Sequence, residues 1–495
     1  MISKNIAYNL TGKLTTSIIA FLVVPVYINY VGKEPYAIIG VLTTIQAIFI
    51  LLDSGMSAGF LRQVAYLNAK KEHQKITNIT ACMELIFFIF SAIVFIVLFS
   101  SSDYIANNWL NLSDDFIQEG LRSIEFIAVI VALNFMALIY QASLKGSQKF
   151  GVANLINVGG AVSKFIFSII LLEYYQNSIN SIMKGYALVS VLQLICLRLY
   201  TRPFTRDAYT DWSDGIKQIL SIKKFIGGMA FISLTSALLA QIDKVILSKI
   251  VPLEEFSYYT IAALFASIPL TISAPVAGAI YPSFIAYLAE DKRKINDFYH
   301  SCASFLSILI YPIACILYFY SFDLIFLWTN DITLSENTYR IAKILIIGSA
   351  ILSIMSMPYF LSLALGKTKI ALSTNILAII LSIPLMYLLT SEYGAVGGAF
   401  GWLFINLLFL TVFVGLLHRS SLRYEKSRWY ISDNLLYLVS SSIVVRMSCE
   451  IGTTEFSIIG KLLFLSFIWF LSVSFCIILS PYRAKVIKFI TGFSK

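Results

Sequence analysis

The stretch DYIANNWLN at Asp103–Asn111 opens a series of landmarks that continues through Arg122, Gly146, Lys149 and Asn154. The series returns as Asp323, Trp328-Thr329-Asn330, Arg340, Gly366, Lys369 and Asn375. The offset is about 220 positions with little drift in spacing, and an internal repeat of this length sets the architecture before any single residue does. Upstream, Val31-Gly32-Lys33-Glu34-Pro35-Tyr36 aligns with Val251-Pro252-Leu253-Glu254-Glu255-Phe256, and Ala65-Tyr66-Leu67 with Ala286-Tyr287-Leu288. One unit used twice therefore builds most of the chain.

Hydrophobic residues make up 58% of the 495 positions and charged residues 13%, and the mean hydropathy is +0.81. Soluble domains do not reach such values. Apolar runs of about 20 residues recur, the length at which a helix crosses about 30 Å of hydrocarbon, and no alternating ten-residue segments suggest a barrel. The expected fold is an all-α polytopic membrane protein. The net charge of +10 is spread singly between apolar runs rather than gathered on one domain, so it marks topology and not nucleic acid. Cys82, Cys196, Cys302, Cys315, Cys449 and Cys476 mostly sit in or at the ends of apolar runs without metal-ligand spacing, and read as small hydrophobes. His73, His300 and His418 are far apart in sequence, and no metal centre is expected. The N-terminal run to Val31 is too long for a signal peptide and lacks a cleavage site, so it should remain as the first helix.

About fourteen transmembrane helices are expected, near 10–31, 36–61, 80–100, 121–143, 151–172, 180–200, 225–250, 257–284, 298–320, 339–363, 370–390, 395–417, 431–448 and 458–480. Their connections alternate in charge. Basic ones hold Arg62 to Lys75, Lys145 and Lys149, Arg198 to Lys224, Lys292-Arg293-Lys294, Lys367 and Lys369, Arg419 to Arg428, and the tail from Arg483. The others hold Asp103, Asp114, Asp115 and Glu119, then Glu254 and Glu255, then Asp323, Asp331 and Glu336. By the positive-inside rule both termini are cytoplasmic. Six helices per repeat give both copies the same orientation, the parallel-repeat arrangement of some secondary transporters. The expected domains are a six-helix bundle over 1–200, a cytoplasmic linker over 201–224, a second six-helix bundle over 225–418, and two extra helices with a basic tail over 419–495.

No extramembrane domain is large enough for catalysis, and no catalytic residue is expected. Gly366-Lys367-Thr368 has the ending of a phosphate-binding loop, but Leu361 stands where that motif needs Gly and no strand precedes it. It reads as a basic turn. Chemistry then falls to polar groups inside the bundle, where a charge costs about 2.5–3.5 kcal/mol on insertion scales. Lys164 is the deepest. Asp53 and Gln46 lie well within the second span, Glu84 one turn inside the third, and Asp243-Lys244 in the outer half of the seventh. Arg122, Glu125, Lys184, Arg340 and Lys343 lie nearer the outer surface. Basic groups there can equally snorkel to the interface, Arg122 and Glu125 can pair on one helix face, and Asp53 before Ser54-Gly55 can equally cap a helix break. Asn134, Asn154, Asn157, Asn375 and Asn406 either line a cavity or bridge helices at about 0.6 kcal/mol each. Pro269, Pro275 and Pro282 crowd the eighth span, as hinge or as fixed shaping.

With topology and repeat in place, the chain resembles Wzx-type polysaccharide flippases of the multidrug/oligosaccharidyl-lipid/polysaccharide (MOP) exporter superfamily. The resemblance is carried by Tyr30-Val31-Gly32-Lys33-Glu34-Pro35-Tyr36, by Leu52-Asp53-Ser54-Gly55-Met56 running to Arg62, and by Gln241-Ile242-Asp243-Lys244-Val245-Ile246 leading to Tyr258-Tyr259. It implies movement of an undecaprenyl-diphosphate-linked oligosaccharide, for O-antigen or a similar glycan of the lipopolysaccharide class, across the bacterial inner membrane. Membrane lipid, a glycan polymerase and chain-length machinery are the partners it suggests. Sugar hydroxyls and a diphosphate in lipid would each lack hydrogen bonds at several kcal/mol, so the head group needs a hydrated cavity between halves that rock in alternating access. Lys164, Lys244, Arg62, Arg340, Lys343 and Lys184 are the candidate substrate-binding groups, and Asp53, Glu84 and Asp243 the candidate ion-coupling groups. No cofactor is expected. A proton or sodium gradient is compatible but not required, since two negative charges moving outward gain about 4.6 kcal/mol per 100 mV. The alternatives are a multidrug exporter of the same superfamily, which an acidic cavity would suit better, and an intramembrane glycan polymerase or ligase, which would need larger outer loops.

Overall fold

A computed structural model describes residues 2–53, 55–175, 178–201, 211–290, 295–451 and 456–484. Arg202, Arg206, Lys292-Arg293-Lys294 and the tail from 485 onward lie outside the described residues, as does Ser54. The described chain is helical throughout, and its one β-type contact is an isolated bridge between Asn111 and Pro252. It divides into two compact units, Met1–Ser257 and Tyr258–Lys495.

The first unit contains α1 (Ile2–Val31), α2 (Lys33–Asp53), α3 (Met56–Ala69), α4 (His73–Ser100), the short α5 (Ser102–Tyr104), α6 (Ile117–Gly146), α7 (Phe150–Tyr174), α8 (Ile179–Thr201) and α9 (Trp212–Ile250). It is built around α6, which touches α2, α3, α4, α7 and α8. Phe135 of α6 stacks on Phe87 of α4, ring centroids 5.2 Å apart, inside a core that includes Phe60, Met83, Ile139 and Leu144. Small residues allow close helix approach, as expected where lipid offers no hydrophobic drive. A Cβ on Gly185 of α8 would stand 2.9 Å from the Ser168 hydroxyl of α7.

The linker expected over 201–224 is helical from Trp212, and α9 packs on α2, α3 and α4. Asn78 of α4 explains the docking. Its Nδ2 donates to Asp214 Oδ2 at 2.9 Å, and its Oδ1 accepts from the Asp211 amide at 3.0 Å. That same amide holds the Asp214 carboxyl below its usual range. Asp211 caps α9 by accepting from the Asp214 amide, which stabilises a helix start by about 1 kcal/mol.

α10 (Leu253–Ala266) spans the boundary between the units. The second unit continues through α11 (Ile268–Glu290), α12 (Ile295–Phe319), α13 (Ser321–Thr329), α14 (Ile332–Ile354), α15 (Ser356–Ala364), α16 (Thr368–Leu408), α17 (Val414–Ser421), α18 (Lys426–Tyr430), α19 (Leu436–Ser448) and α20 (Ile458–Leu479). Its most buried helix is α12, packed by α11, α14, α19 and α20. The last two are the pair with no counterpart in the repeat. Tyr311, Tyr318, Ile346, Ala350, Trp429 and Leu438 line an apolar cleft of about 410 Å³ against it.

Ten stretches are long and apolar enough to cross a membrane. One of them, Thr368–Ser421, has 54 residues; at 1.5 Å per residue it is about 80 Å long, enough for two crossings. It is kinked at Gly394, with φ 56° and ψ −137°, between the two spans expected there. The expected spans 36–61, 225–250 and 431–448 are also helical, but the first is broken after Asp53, the second carries Asp243 and Lys244, and the third opens on a π turn over Ile431–Leu435.

The repeat is visible in local geometry. The second span of each copy is broken, into α2 and α3 and into α10 and α11. The paired basic turns close alike: Lys149 N donates to Leu144 O and Lys367 N to Ser362 O, both at 2.8 Å. Each turn carries a left-handed residue, Gln148 (φ 62°) and Gly366 (φ 70°), the usual way of satisfying the last carbonyls of a helix. Gly366-Lys367-Thr368 is thus a helix stop, with the Lys367 amine donating to Ser420 O at 2.6 Å.

Candidate functional site

In the first unit, Lys164 lies on α7 about 21 Å from the Phe150 end at 1.5 Å per residue, which is mid-bilayer depth. Its ammonium sits 5.6 Å from the ring centroid of Tyr186 on α8. Tyr27 of α1 backs that ring at 6.4 Å and Phe165 at 6.2 Å. In the second unit, Lys343 occupies the middle of α14, with its ammonium 5.4 Å from both the Tyr318 and Tyr339 rings. Arg340 shares Tyr339, donating from Nε to its hydroxyl at 3.1 Å. Neither lysine has a carboxylate partner among the described residues. An ammonium over an aromatic face gains about 0.5–2 kcal/mol and keeps its hydrogen-bond donors unspent. These are cations held in place and available to an anion.

The other expected basic groups are not drawn into these clusters. Arg62 and Lys184 are exposed, Lys184 near the Ile179 end of α8, a position from which its stem can reach the interface. Lys244 is half-buried and donates to Gln241 Oε1 at 3.5 Å, one turn away on its own helix.

Among the expected acids, Asp243 is buried, with 4% of its surface exposed. Glu84 lies deeper than the expected span start implied, because α4 begins at His73. The Tyr140 phenol of α6 feels both the Glu84 carboxylate and the Arg198 guanidinium. Asp53 ends α2, and its Oδ1 accepts the Ser57 amide at 2.8 Å across the break before α3, where Gly55 takes φ 81°. The capping role is therefore observed. Asp53→Asn keeps an acceptor for the Ser57 amide and should preserve stability, whereas Asp53→Ala should lower it by about 1 kcal/mol, read as a thermal midpoint in detergent. A loss of transport in Asp53→Asn with an unchanged midpoint would point to ion coupling, and equal transport would leave Asp53 as a cap only.

Several polar partners were not singled out from the sequence: Tyr186, Tyr318 and Tyr339, and the amides Gln141 and Gln193. Tyr339 and Lys343 are four apart, so a shared helix face was legible. The pairing of Lys164 with Tyr186 joins two helices and has no local signal. Asn157 donates to Gln141 Oε1 at 3.3 Å and accepts from Gln193 Nε2 at 3.0 Å, a polar chain across α6, α7 and α8. His300 and His418, far apart in sequence, both lie against Tyr299, whose hydroxyl is 3.4 Å from His418 Nε2.

Residues 2–288 match the family described as "Polysaccharide biosynthesis protein". A Shigella flexneri protein named "Putative O-antigen transporter" is 21% identical over 410 residues, which cover 81% of this chain and 94% of the relative. Among solved structures, the lipid II flippase MurJ in an inward closed conformation aligns with a TM-score of 0.75 at 15% identity, covering 94% of this chain and 97% of that one. An inward-facing multidrug resistance MATE family transporter of the MOP superfamily aligns with a TM-score of 0.66 at 13% identity, covering 86% and 96%. The fold is that of the MOP transporters, and with more than half of its length matched the chain belongs to the polysaccharide biosynthesis protein family.

Proposed function

We propose that the chain is a flippase for a lipid-linked glycan, moving an undecaprenyl-diphosphate-linked oligosaccharide from the cytoplasmic to the periplasmic leaflet of a bacterial inner membrane. In this reading it is a transporter and not an enzyme, both termini are cytoplasmic, and the polar interior opens alternately to the two sides. The observation that carries the proposal is the pair of lysines without acidic partners, Lys164 and Lys343, each held over tyrosine rings at mid-span. A diphosphate is the part of such a substrate that lipid rejects most strongly, and fixed ammonium groups at that depth offset the loss of water. A cationic drug would meet repulsion there. The family match and the name of the Shigella relative support the same reading.

The inside-negative potential already favours outward movement of the diphosphate, by about 4.6 kcal/mol per 100 mV for two charges. Asp53, Glu84 and Asp243 are the groups we propose for any coupling to protons or sodium. The test is the sidedness of lipid-linked sugar in cells lacking the chain, read with a membrane-impermeant label. Units trapped on the cytoplasmic leaflet, and released by restoring the gene, are the expected result. Units that reach the periplasm unpolymerised would replace the proposal with a polymerase role, and altered drug accumulation without glycan change would replace it with drug export.

A further inference from the structure

Inside the first unit lies a cavity of about 150 Å³ whose polar lining consists of side-chain amides: Gln46 from α2, Asn134 and Gln141 from α6, and Gln193 from α8. Asn157 of α7 ties Gln141 to Gln193 through the two hydrogen bonds already given. Gln193 is pressed against Gly160, where a Cβ would stand 2.8 Å from its Oε1, so the chain of three amides is fixed in place. Gln46 and Asn134 make no hydrogen bond among the described residues. Both are half-buried and face the cavity. Phe49 and Phe135 supply apolar wall, and no charged side chain lines the space.

The chemistry of that lining narrows the occupant. Helix bracing accounts for Gln141, Asn157 and Gln193, which spend bonds on each other, but not for two further amides left open in an apolar bundle. A diphosphate would call for Lys or Arg, and a metal cation for carboxylates. An amide both donates and accepts, as a sugar hydroxyl does, and the phenyl walls suit the C–H faces of a pyranose. We infer that this cavity is a sugar subsite that binds one ring of the glycan head group through its hydroxyls. The inference rests on the flippase reading and adds where the sugar, as distinct from the diphosphate, is held. Gln141, Asn157 and Gln193 lie about 8–12 Å from the Gly146, Phe150 and Thr201 ends of their helices at 1.5 Å per residue. In the proposed orientation this is the cytoplasmic half, where the substrate is loaded.

The test uses the full chain in lipid nanodiscs and two probes: undecaprenyl diphosphate, and the lipid-linked oligosaccharide extracted from cells lacking the chain. The natural protein should prefer the glycosylated probe. Gln46→Leu combined with Asn134→Leu breaks no protein hydrogen bond and should cut that preference about tenfold or more, the value of two lost hydrogen bonds, while leaving the bare lipid bound as before. Gln46→Asn, which keeps the amide but draws it back by one methylene, should lower the preference by a smaller factor and guards against a folding defect in the double variant. An unchanged preference in both variants would overturn the subsite and leave the flippase reading intact. So would equal binding of the two probes by the natural protein. Binding of neither probe would overturn both.

Discussion

Lys164→Ala should reduce outward movement of lipid-linked sugar to a tenth of normal or less, in a protein that inserts and folds as before. The side chain stands at mid-span with Tyr186 beneath its ammonium and no carboxylate partner among the described residues. Hydrogen bonds to charged groups contribute about 1.5–3 kcal/mol, so losing one to a phosphate slows transport by roughly ten- to a hundredfold if it is made on the way across. Folding should not suffer, because a lysine at that depth itself costs about 2.5–3.5 kcal/mol to insert. Lys164→Arg should retain a large share of activity, since guanidinium binds phosphate and stacks on tyrosine. Tyr186→Phe should be close to normal because the ring face remains, and Tyr186→Leu should be intermediate. The rate of sugar labelling at the outer face, divided by the amount of folded protein, is the measurement. Normal transport by Lys164→Ala would remove the residue from the mechanism.

Much of the fold was legible because membrane helices announce themselves by apolar length and the repeat by its landmarks. The Gly146 and Gly366 turns close as paired helix stops, and Asp53 caps the break that Ser54-Gly55 foretold. Hydropathy could not show the breaks at Ser267 and Met355, since apolar residues continue through both. It also gave no sign that α9 docks on α4, because the link is Asn78 reaching Asp211 and Asp214 more than 130 positions away. The candidate site was legible to the same degree. Depth singled out Lys164, whereas exposure separates it from Lys184 and Arg62. The tyrosines that hold Lys164 and Lys343 come from packing, and tyrosine near a span end reads equally well as an interface anchor.

The deepest contact hidden from the sequence joins α12 to the extra helices, and its disruption carries the largest expected loss of stability. His300 and Asp433 are both fully buried, and the Asp433 carboxylate meets His300 Nδ1. On the other side of the ring, Nε2 is 3.1 Å from Glu425 Oε2. Ser304 donates to the second Asp433 oxygen at 3.0 Å, and Arg428 lies 3.4 Å from both Glu425 and Asp297. Removing one partner of such a pair leaves the other without compensation, at about 3–5 kcal/mol. His300→Leu should therefore lower the thermal midpoint by about 10 °C, taking 2–4 °C per kcal/mol for a unit of this size. The buried thiols of Cys302, Cys315 and Cys476 provide the readout, as the temperature at which a thiol reagent gains access. The double variant His300→Leu with Asp433→Leu should recover most of the loss, because apolar replacement of both partners of a buried pair is commonly neutral or stabilising. Recovery would make the network a positional device, fixing where the π turn at Ile431–Leu435 sits on α12. A double variant as unstable as the single would mean that Glu425 and Ser304, which it leaves unpaired, account for the energy.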